Sequence, residues 1–571
     1  ALGTSSHVAG APLLGEDFPV LPDRDGTGGL WEIPFAVSTR TYDQSDFARL
    51  GFSSLAELLR WDGRLNVSSL YGPWIGDGLS IDGRSTRQCV LVLFNGHPLT
   101  TPQANLTTTL HSFSLSRLTR VEIVLGASAG VYGPHGCEAV ILLTDDGEDP
   151  GMKTDIQWRD VDGADSSFLI RRDVADLKMS AGVGFRVLGE QLDQWKSFRD
   201  AYGENFFKSD ERLVGPFWSA ADGDGVPTGQ PEAPSGLGYS YDFYYRARIG
   251  DVGLSWNQST YSSWAARGLD PKVVAYGDRF ETETQESFYL TYVTDAHDGS
   301  WRFFWNISYA ISEGTPSSSL ISPVTAYESA YSYRDEHRLT LEEYIQWELS
   351  PWATLFSGGG AGFGTLTPRS ALVSDEIDPD LPISLTETNS EPNLPLATQV
   401  SYRHLFGYGH LNLGDEDSVV LQLGGRFDSD TRQGLIISPR ASLIVTTWSL
   451  ADLRLTAEYS ERPVDERFRY VGDRALSQDT TLWTRPADID LDGGMVLQFE
   501  SSLEFEASTL SAYWRRDRAG PSLVFDPVGP SFIPVLDRRE SVGWSAEKDW
   551  KYPNSSYFLG YRGWIQRIAD A

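Results

Sequence analysis

Hydrophobic and polar residues alternate along most of the chain, in segments of about ten residues separated by turn-forming residues. Residues 301–311 show the pattern clearly, because one face is apolar and the other is polar except for Phe304. The same period of two recurs at 242–249, 453–459 and 503–508. Side chains of a β-strand alternate between two faces, so these segments predict a large, mainly β structure from residue 151 onwards.

The first 150 residues follow a different pattern, which predicts a small mixed α/β domain. Apolar residues recur at helical spacing over 45–60 and predict a helix. Asn95-Gly96 predicts a tight turn, and the acidic stretch 145–149 predicts a linker. Short strands are predicted at 31–40, 89–94, 121–125 and 139–143. We therefore divide the chain into an N-terminal extension (1–30), the α/β domain (31–150) and a β domain (151–571).

The β domain could be a membrane barrel or a soluble β-sandwich or propeller. No run of the chain approaches the ~20 apolar residues of a spanning helix, but barrel strands hide their apolar face in alternation. The chain has 18 Trp and 25 Tyr, which suit the boundary between lipid and water. Long polar insertions at 200–240 and 370–395 are typical of membrane barrels, and no repeat of blade length is present. These features favour the barrel.

Charge excludes one class of partner. The chain has 79 Asp and Glu against 47 Lys and Arg, which gives a formal net charge of -32. Such a chain repels phosphates, so we exclude nucleic-acid binding. A solvated acidic surface is the simplest interpretation. Cation collection at a pore mouth, a basic partner and a saline habitat stay open as sharper ones.

Several ordered elements of the α/β domain resemble the plug of the TonB-dependent outer-membrane receptor family. They are the segments IPFAVS (33–38), SSLAELL (53–59), LSIDGR (79–84), VLVLFNGHPL (90–99), LTRVEIVLG (118–126), VYG (131–133) and AVI (139–141). Together they cover about 110 residues in family order, which is far more specific than one short motif. Looser matches follow in the β domain. The plug-signature residues are Gly83, Arg84, Asn95, Gly96, Arg120, Glu122, Gly126, Tyr132 and Gly133.

The resemblance implies a fold and a function. A plug would sit inside a transmembrane barrel of 22 antiparallel strands in the outer membrane of a Gram-negative bacterium, surrounded by lipid. The barrel would bind a scarce small ligand, such as a metal chelate, a vitamin or a glycan. A TonB-type periplasmic protein would pull on the plug. Such a receptor catalyses no covalent reaction, and no nucleophile–base motif or paired-carboxylate signature argues otherwise, so we predict no catalytic residues.

The sequence departs from the family at two basic positions. Asp82 stands at a position where the family usually has arginine. Leu125, directly before Gly126, stands at a second position where the family usually has arginine. Those arginines commonly pair with barrel carboxylates, so we expect both sides to have changed together and the plug to be seated differently. The chain also ends in Ile568-Ala569-Asp570-Ala571 rather than on an aromatic residue, so we expect further C-terminal strands to be missing.

Other candidate sites carry less weight. Cys89 and Cys137 flank strands that should be neighbours, so they are candidates for a disulfide, with two buried thiols as the alternative. Acidic loops are weak candidates for Ca²⁺, and solvated loop tips are favoured instead. His404 and His410 share a strand face but lie too far apart to bind one metal. His97 and His135 lie in plug turns. The acidic-loop candidates are Asp222, Asp224, Asp375, Asp378 and Asp380.

Two functions from different classes remain. The first is a receptor for a small ligand, favoured by the intact plug skeleton. The second is a receptor-like barrel without transport that anchors an envelope or surface complex, favoured by the missing plug arginines. A secreted soluble β enzyme is a third and weaker hypothesis.

Overall fold

The computed structural model describes most of the plug and barrel strands. The described residues are 39–63, 65–68, 78–81, 84–85, 89–99, 101, 106–126, 129–136, 138–145, 150–159, 163–188, 238–264, 280–296, 300–315, 317–321, 329–331, 333–367, 400–415, 418–447, 451–462, 494–505, 508–518, 522–526, 531–535, 538–552 and 555–569.

A small α/β domain comes first. Its elements are β1 (Thr39–Asp43), α1 (Gln44–Leu50), α2 (Leu55–Asp62), β2 (Asn66–Ser68), β3 (Gly78–Ile81), β4 (Arg84–Ser85), β5 (Val90–Phe94), β6 (His97–Pro98), α3 (Leu106–Ser112), β7 (Arg120–Leu125), α4 (Ala129–Tyr132) and β8 (Ala139–Thr144), with 3₁₀ turns at Leu115–Arg117 and Pro134–Gly136. A five-stranded sheet has the order β1-β7-β8-β5-β6. The strands predicted at 89–94, 121–125 and 139–143 are confirmed as β5, β7 and β8.

The single helix predicted over 45–60 is wrong, because the structure has two helices there. Asp43 caps α1 through a capping box with Asp46, and Ser54 caps α2. Between them Gly51 adopts the left-handed conformation (φ 70°), which ends α1. Apolar residues of both helices pack into the same core, so the pattern alone did not show the break.

The larger domain is an antiparallel barrel wall. Its strands are β9 (Gly151–Arg159), β10 (Gly163–Val174), β11 (Leu177–Leu188), β12 (Gly238–Ile249), β13 (Val252–Trp264), β14 (Phe280–Asp295), β15 (Trp301–Gly314), β18 (Arg334–Ser350), β19 (Ala353–Thr367), β20 (Val400–Asp415), β21 (Val419–Asp430), β22 (Gly434–Thr447), β23 (Ala451–Arg462), β24 (Gly494–Phe505), β25 (Ser508–Arg518), β28 (Arg538–Tyr552) and β29 (Ser555–Ala569). Two hairpins accompany it: β16 (Ser319–Ile321) with β17 (Ser329–Tyr331), and β26 (Ser522–Asp526) with β27 (Ser531–Val535).

The barrel confirms the predicted fold class but not the strand number that the family suggested. Among the described residues 17 strands form the barrel, each paired with the next in chain order, rather than 22. Exposure alternates along the strands, as in β21, where Leu421, Leu423 and Phe427 point outward. The lumen-facing residues between them are mostly polar and buried, as a lipid-facing barrel around a plug requires.

The connections differ between the two rims. Tight turns at 175–176, 250–251 and 351–352 join strands at one rim, while 189–237 and 368–399 connect strands at the other. Long loops on one side and short turns on the other are typical of outer-membrane barrels. The long insertions predicted from sequence lie outside the described residues, except for 238–240, which belong to β12.

No helix in the described part of the chain is both long enough and apolar enough to cross a membrane.

Candidate functional site: the contacts between plug and barrel wall

The small domain occupies the barrel lumen and touches strands all around it. Its polar contacts with the wall include Ser116 with Ser167 on β10, Thr109 with Gln285 on β14, Gly130 with His410 on β20, and Arg40 with Glu547 on β28. It is therefore a plug in the structural sense. An apolar patch exists as well, where plug residues Leu91, Val124 and Val131 pack among Phe304, Tyr344, Phe406 and Tyr408 of the wall.

Arg117 makes a deeply buried contact between plug and wall. The 3₁₀ turn Leu115–Arg117 directs its guanidinium at β12 and β13, where Nη1 donates to Asp242 Oδ2 (2.5 Å) and Nη2 to Asn257 Oδ1 (3.1 Å). The guanidinium carbon lies 3.7 Å from the Phe113 ring centroid. The Arg117 and Asp242 side chains are only 4% and 2% exposed. Ion pairing, hydrogen bonding and a cation–π contact thus fix one charge in a nearly dry site.

A second buried ion pair has the opposite polarity. Here the plug supplies the carboxylate, Glu138, and β25 supplies the cation, Arg515, with 2.9 Å between Nη2 and Oε1. Arg515 Nε also donates to Asp517 (2.6 Å). The plug therefore keeps charged links to the wall although Asp82 and Leu125 replace the arginines expected from the family. Sequence reasoning missed Arg117, Glu138 and Arg515, because no local motif marks them.

The short helix α4 docks on the wall through its backbone. Gly130 N donates to Glu458 Oε1 on β23 (3.0 Å), and Gly130 O receives a hydrogen bond from His410 Nε2 on β20 (2.9 Å). A Cβ atom at Gly130 would lie 2.9 Å from Ser438 O. Glycine is therefore required here by close approach, and two wall side chains recognise the plug main chain directly.

The end of the plug is also bound to the wall. Asp145, the first residue of the predicted linker, is 1% exposed and pairs with Arg171 on β10. Its backbone N donates to Asn95 Oδ1 (2.9 Å), and its backbone O accepts from Arg246 on β12 (2.9 Å). Residues 146–149 lie outside the described residues, so the linker stays a prediction.

Two buried histidines of the plug stack on wall tyrosines. The ring centroids of His97 and Tyr289 lie 4.1 Å apart, and those of His111 and Tyr261 lie 5.0 Å apart. Burial, assisted by Arg246, lowers the pKa of His97 to about 3. Burial, assisted by Arg60 and Arg186, lowers the pKa of His111 to about 3. Both rings are thus uncharged at neutral pH.

Acidification is expected to destabilise the docked plug through these two histidines. In the unfolded plug each ring binds a proton near pH 6.5, whereas in the folded plug it does so only near pH 3. Stability is therefore lost as the pH falls from 6.5 towards 3, by up to about 1.4 kcal/mol per pH unit for each histidine. Thermal unfolding between pH 7 and pH 4 measures this slope. The variant His97→Phe/His111→Phe keeps the stacking and should show a shallower slope; an unchanged slope would contradict the assignment.

Crevices lie between plug and wall among the described residues. One is lined mainly by serines, with Asp165, Arg186 and Asp242. Another lies where Gly126 and Glu138 of the plug face β24, β25, β28 and Arg562 of β29. Both crevices lie away from the apolar patch around Phe304. Water in them can reach the polar groups that join the plug to the wall.

The plug-signature residues are spread over turns and strand ends rather than gathered in one site. Asn95 (φ 47°) and Gly96 (φ 82°) form the predicted tight turn. Gly126 (φ 108°) and Gly133 (φ 96°) also have the left-handed backbone that favours glycine. Their roles as functional residues stay predictions. Of the rest, Arg120 and Glu122 lie 3.8 Å apart on β7, Tyr132 packs in α4, Arg84 lies in β4, and Gly83 lies outside the described residues.

The metal candidates found in the sequence cannot be placed. Asp222, Asp224, Asp375, Asp378 and Asp380 all lie outside the described residues, so Ca²⁺ binding stays a prediction. Within the described ranges no group of three His, Cys, Asp or Glu residues is arranged to hold a metal ion. His404 and His410 have separate partners, Asp428 and Gly130. His135 lies in the 3₁₀ turn Pro134–Gly136.

Cys89 is disulfide-bonded. It lies directly before β5 and packs against Ala129. Cys137 lies outside the described residues, so the pairing of the two stays a prediction. We expect the unreduced protein to resist alkylation at both cysteines, and a peptide joining residues 89 and 137 to appear on mass spectrometry. Cys89→Ser should lower the stability of the plug by about 2–4 kcal/mol. Ready alkylation without reductant would contradict the bridge.

Comparison with known proteins identifies the domain in the lumen. Residues 30–140 match the family model described as the TonB-dependent Receptor Plug Domain. The N-terminal domain is a TonB-dependent receptor plug. Together with the barrel it has the fold of a TonB-dependent receptor. No curated protein matches the sequence.

Solved structures share this receptor fold over nearly the whole chain. The siderophore receptor PirA from Pseudomonas aeruginosa is 12% identical, with a TM-score of 0.60 and coverage of 93% of this chain and 86% of that one. The ferric yersiniabactin uptake receptor FyuA from Yersinia pestis is 12% identical, with a TM-score of 0.61 and coverage of 93% and 79%. A ferric enterobactin receptor (PfeA) mutant from Pseudomonas aeruginosa is 12% identical, with a TM-score of 0.64 and coverage of 92% and 80%. At such identities the likeness concerns the fold.

Proposed function

We propose that this protein takes up a scarce small ligand across the outer membrane, with the plug as the gate and a TonB-type periplasmic protein as the source of force. The observation that carries the proposal is the way the plug is held. Apolar packing joins it to the wall around Phe304 and Tyr344 and at Leu169 and Tyr244, while discrete hydrogen bonds and ion pairs join it at other points, some of them beside crevices. Water can replace such polar contacts one at a time, which a continuous apolar interface would not allow.

A metal chelate is the ligand class we propose first, ahead of a vitamin or a glycan. The structural relatives named above are receptors for siderophores or for ferric chelates. Ligand selectivity resides in loops, and the long connections lie outside the described residues, so the support comes from the fold. The same relatives are uptake receptors rather than enzymes, which supports the absence of catalysis.

An anchoring role without transport is the second candidate, and one observation favours it. Arg117–Asp242 and Arg515–Glu138 are buried ion pairs between plug and wall. Separating such a pair leaves two charged side chains without their partners, which is costly and therefore opposes movement of the plug. In this alternative the barrel would hold an envelope or surface complex together, and the plug would stay fixed in the lumen.

A reversible tether between plug and wall distinguishes the two functions. The hydroxyls of Ser116 in the plug and Ser167 on β10 are in contact, so Ser116→Cys/Ser167→Cys should form a disulfide across the interface. The test measures uptake of radioiron-labelled ferric enterobactin and ferric hydroxamates by a host that lacks its own receptors for them. The single variant Ser116→Cys is the matched control.

Transport by movement of the plug predicts uptake by the wild type and by the single variant, loss of uptake in the tethered variant, and recovery after reduction. Equal uptake with and without the tether would overturn the gating role of the plug. No uptake of ferric chelates, cobalamin or oligosaccharides by any variant, together with stoichiometric co-purifying proteins, would favour the anchor.

A further inference from the structure

An acidic side chain, Glu343, lies on the outer face of the barrel. Its neighbours in β18, Glu342 and Tyr344, face the lumen: Glu342 accepts a hydrogen bond from Tyr408, and Tyr344 packs in the apolar patch against the plug. The alternation of a β-strand therefore turns Glu343 towards the lipid. It is exposed and flanked on the same face by Leu341 and Ile345.

The depth of Glu343 follows from the residues above and below it in β18. Trp347 and Trp352 are 47% and 61% exposed near the tight turn at 351–352, as expected of an aromatic girdle at the membrane boundary. Glu343 is four residues from Trp347, about 13 Å along the strand, or roughly 10 Å in depth at the usual tilt. Towards the other rim His337, hydrogen-bonded to Tyr309, is six residues away. Because the apolar band of such barrels is ~25 Å tall, Glu343 lies within it.

Two outward carboxylates of the wall, Glu286 and Glu540, each have a hydrogen-bond donor, whereas Glu343 has none among the described residues. Glu286 accepts from Trp256 Nε1 (2.6 Å), and Glu540 accepts from Trp514 Nε1 (2.8 Å). Glu343 has no hydrogen bond or ion pair with any described residue; its neighbours in register are Trp305 and Gly359. A carboxylate without a partner in lipid is costly, and ionisable residues at this depth generally have a functional partner.

The surface beside Glu343 is flat. Gly359 faces it on β19, and Ala361 follows on the same outer face. A Cβ atom at Gly359 would lie 2.8 Å from Phe406 O, so the backbones of β19 and β20 meet closely there. Small residues of this kind let another backbone approach within the membrane. The carboxyl group of Glu343 and the flat strip of Gly359 and Ala361 thus lie side by side at the same depth.

We propose that this face of β18 and β19 receives a membrane-spanning segment of a second protein, which places a lysine or arginine against Glu343. Charge complementarity decides the occupant. A basic side chain would supply the donor that Trp256 supplies to Glu286 and would neutralise the carboxylate within the apolar band. A second copy related by two-fold symmetry would place one Glu343 near another and would increase the repulsion. The proposal is independent of ligand uptake.

Photo-crosslinking in the native outer membrane tests the proposal. A photoreactive phenylalanine analogue replaces Ile345, two residues from Glu343, or Val183 on the distant strand β11 as a control. We expect one protein adduct from position 345 and none from position 183. The adduct should fall at least tenfold in Glu343→Leu and stay unchanged in Glu540→Leu, whose carboxylate already has its donor. Glu343→Lys should abolish the adduct, and exchange of the captured basic residue for glutamate should restore it.

Each other outcome overturns the proposal. A dimer of this chain would make the face a self-association surface, and adducts with lipid alone would make it ordinary barrel wall. A captured segment without lysine or arginine, or an adduct that survives Glu343→Leu, would remove the role of the charge. Folding of every variant is checked by the heat-modifiable migration of the barrel, so loss of an adduct is not confused with loss of the fold.

Discussion

Asp242→Ala is expected to loosen the plug by about 3–5 kcal/mol, because it leaves the Arg117 guanidinium without its carboxylate in a nearly dry site. Both side chains are almost fully buried, so water from the crevice that Asp242 lines would replace the lost carboxylate only in part. Asn257 and the ring of Phe113 would remain as the neighbours of the cation. Hydrogen exchange of the amides in the 3₁₀ turn Leu115–Arg117 measures the effect, and a rise in exchange of about a hundredfold to a few thousandfold is expected.

The double variant Arg117→Met/Asp242→Leu serves as the control for this prediction. It removes both charges and keeps apolar volume in their place, which is often neutral for buried pairs. Its loss of stability should therefore be clearly smaller than that of Asp242→Ala. If the two variants lose equal stability, the contact acts through packing alone. If Asp242→Ala changes nothing, the pair does not hold the plug.

Gly130→Val is expected to displace α4 from the barrel wall. Its side chain would begin 2.9 Å from Ser438 O and 3.3 Å from Arg440 Cβ, and strand backbone cannot move aside as a side chain can. Displacement of α4 would break the bonds of Gly130 with Glu458 and His410 and leave those buried groups unsatisfied. The cost should be about 3 kcal/mol or more, seen as a lower temperature of plug unfolding and earlier proteolysis in α4.

Gly409→Ala is the matched control, because a Cβ atom there would meet its nearest neighbour, Phe356 O, only at 3.9 Å. The stability of Gly130→Ala should lie between those of Gly130→Val and Gly409→Ala, because its methyl group meets the same oxygen but is smaller than the valine side chain. A Gly130→Val protein as stable as the Gly409→Ala protein would show that α4 does not depend on close approach to β22.

The two groups of contacts have different consequences for function. The apolar patch around Phe304 and Tyr344 holds the plug on one side of the lumen. The crevice beside Arg515 and Glu547 leaves the plug less closely packed near β24 and β25. If the plug moves during uptake, we expect the first change in hydrogen exchange to occur beside this crevice, where contacts are polar and water is at hand.

Local pattern determined the fold class, because periodicity is a property of consecutive residues. Alternation predicted the barrel strands, and short apolar runs predicted β5, β7 and β8. The pattern failed where two helices pack into one core, since Gly51 ends the first helix without interrupting the series of apolar residues. The resemblance to the receptor family placed the plug in the lumen, but 17 described barrel strands were a finding of the structure.

Only the tertiary structure decided how the plug is held. Phe304 looked like an exception on the polar face of its strand, yet it stacks on Tyr344 and contacts the plug. Arg117 pairs with Asp242, and Glu138 with Arg515, across long stretches of sequence. The register of the barrel strands and the position of the plug in the lumen decide which residues become partners, and no local pattern encodes either. The sequence by itself therefore determined the elements and the family likeness, while packing in the lumen decided which charges meet.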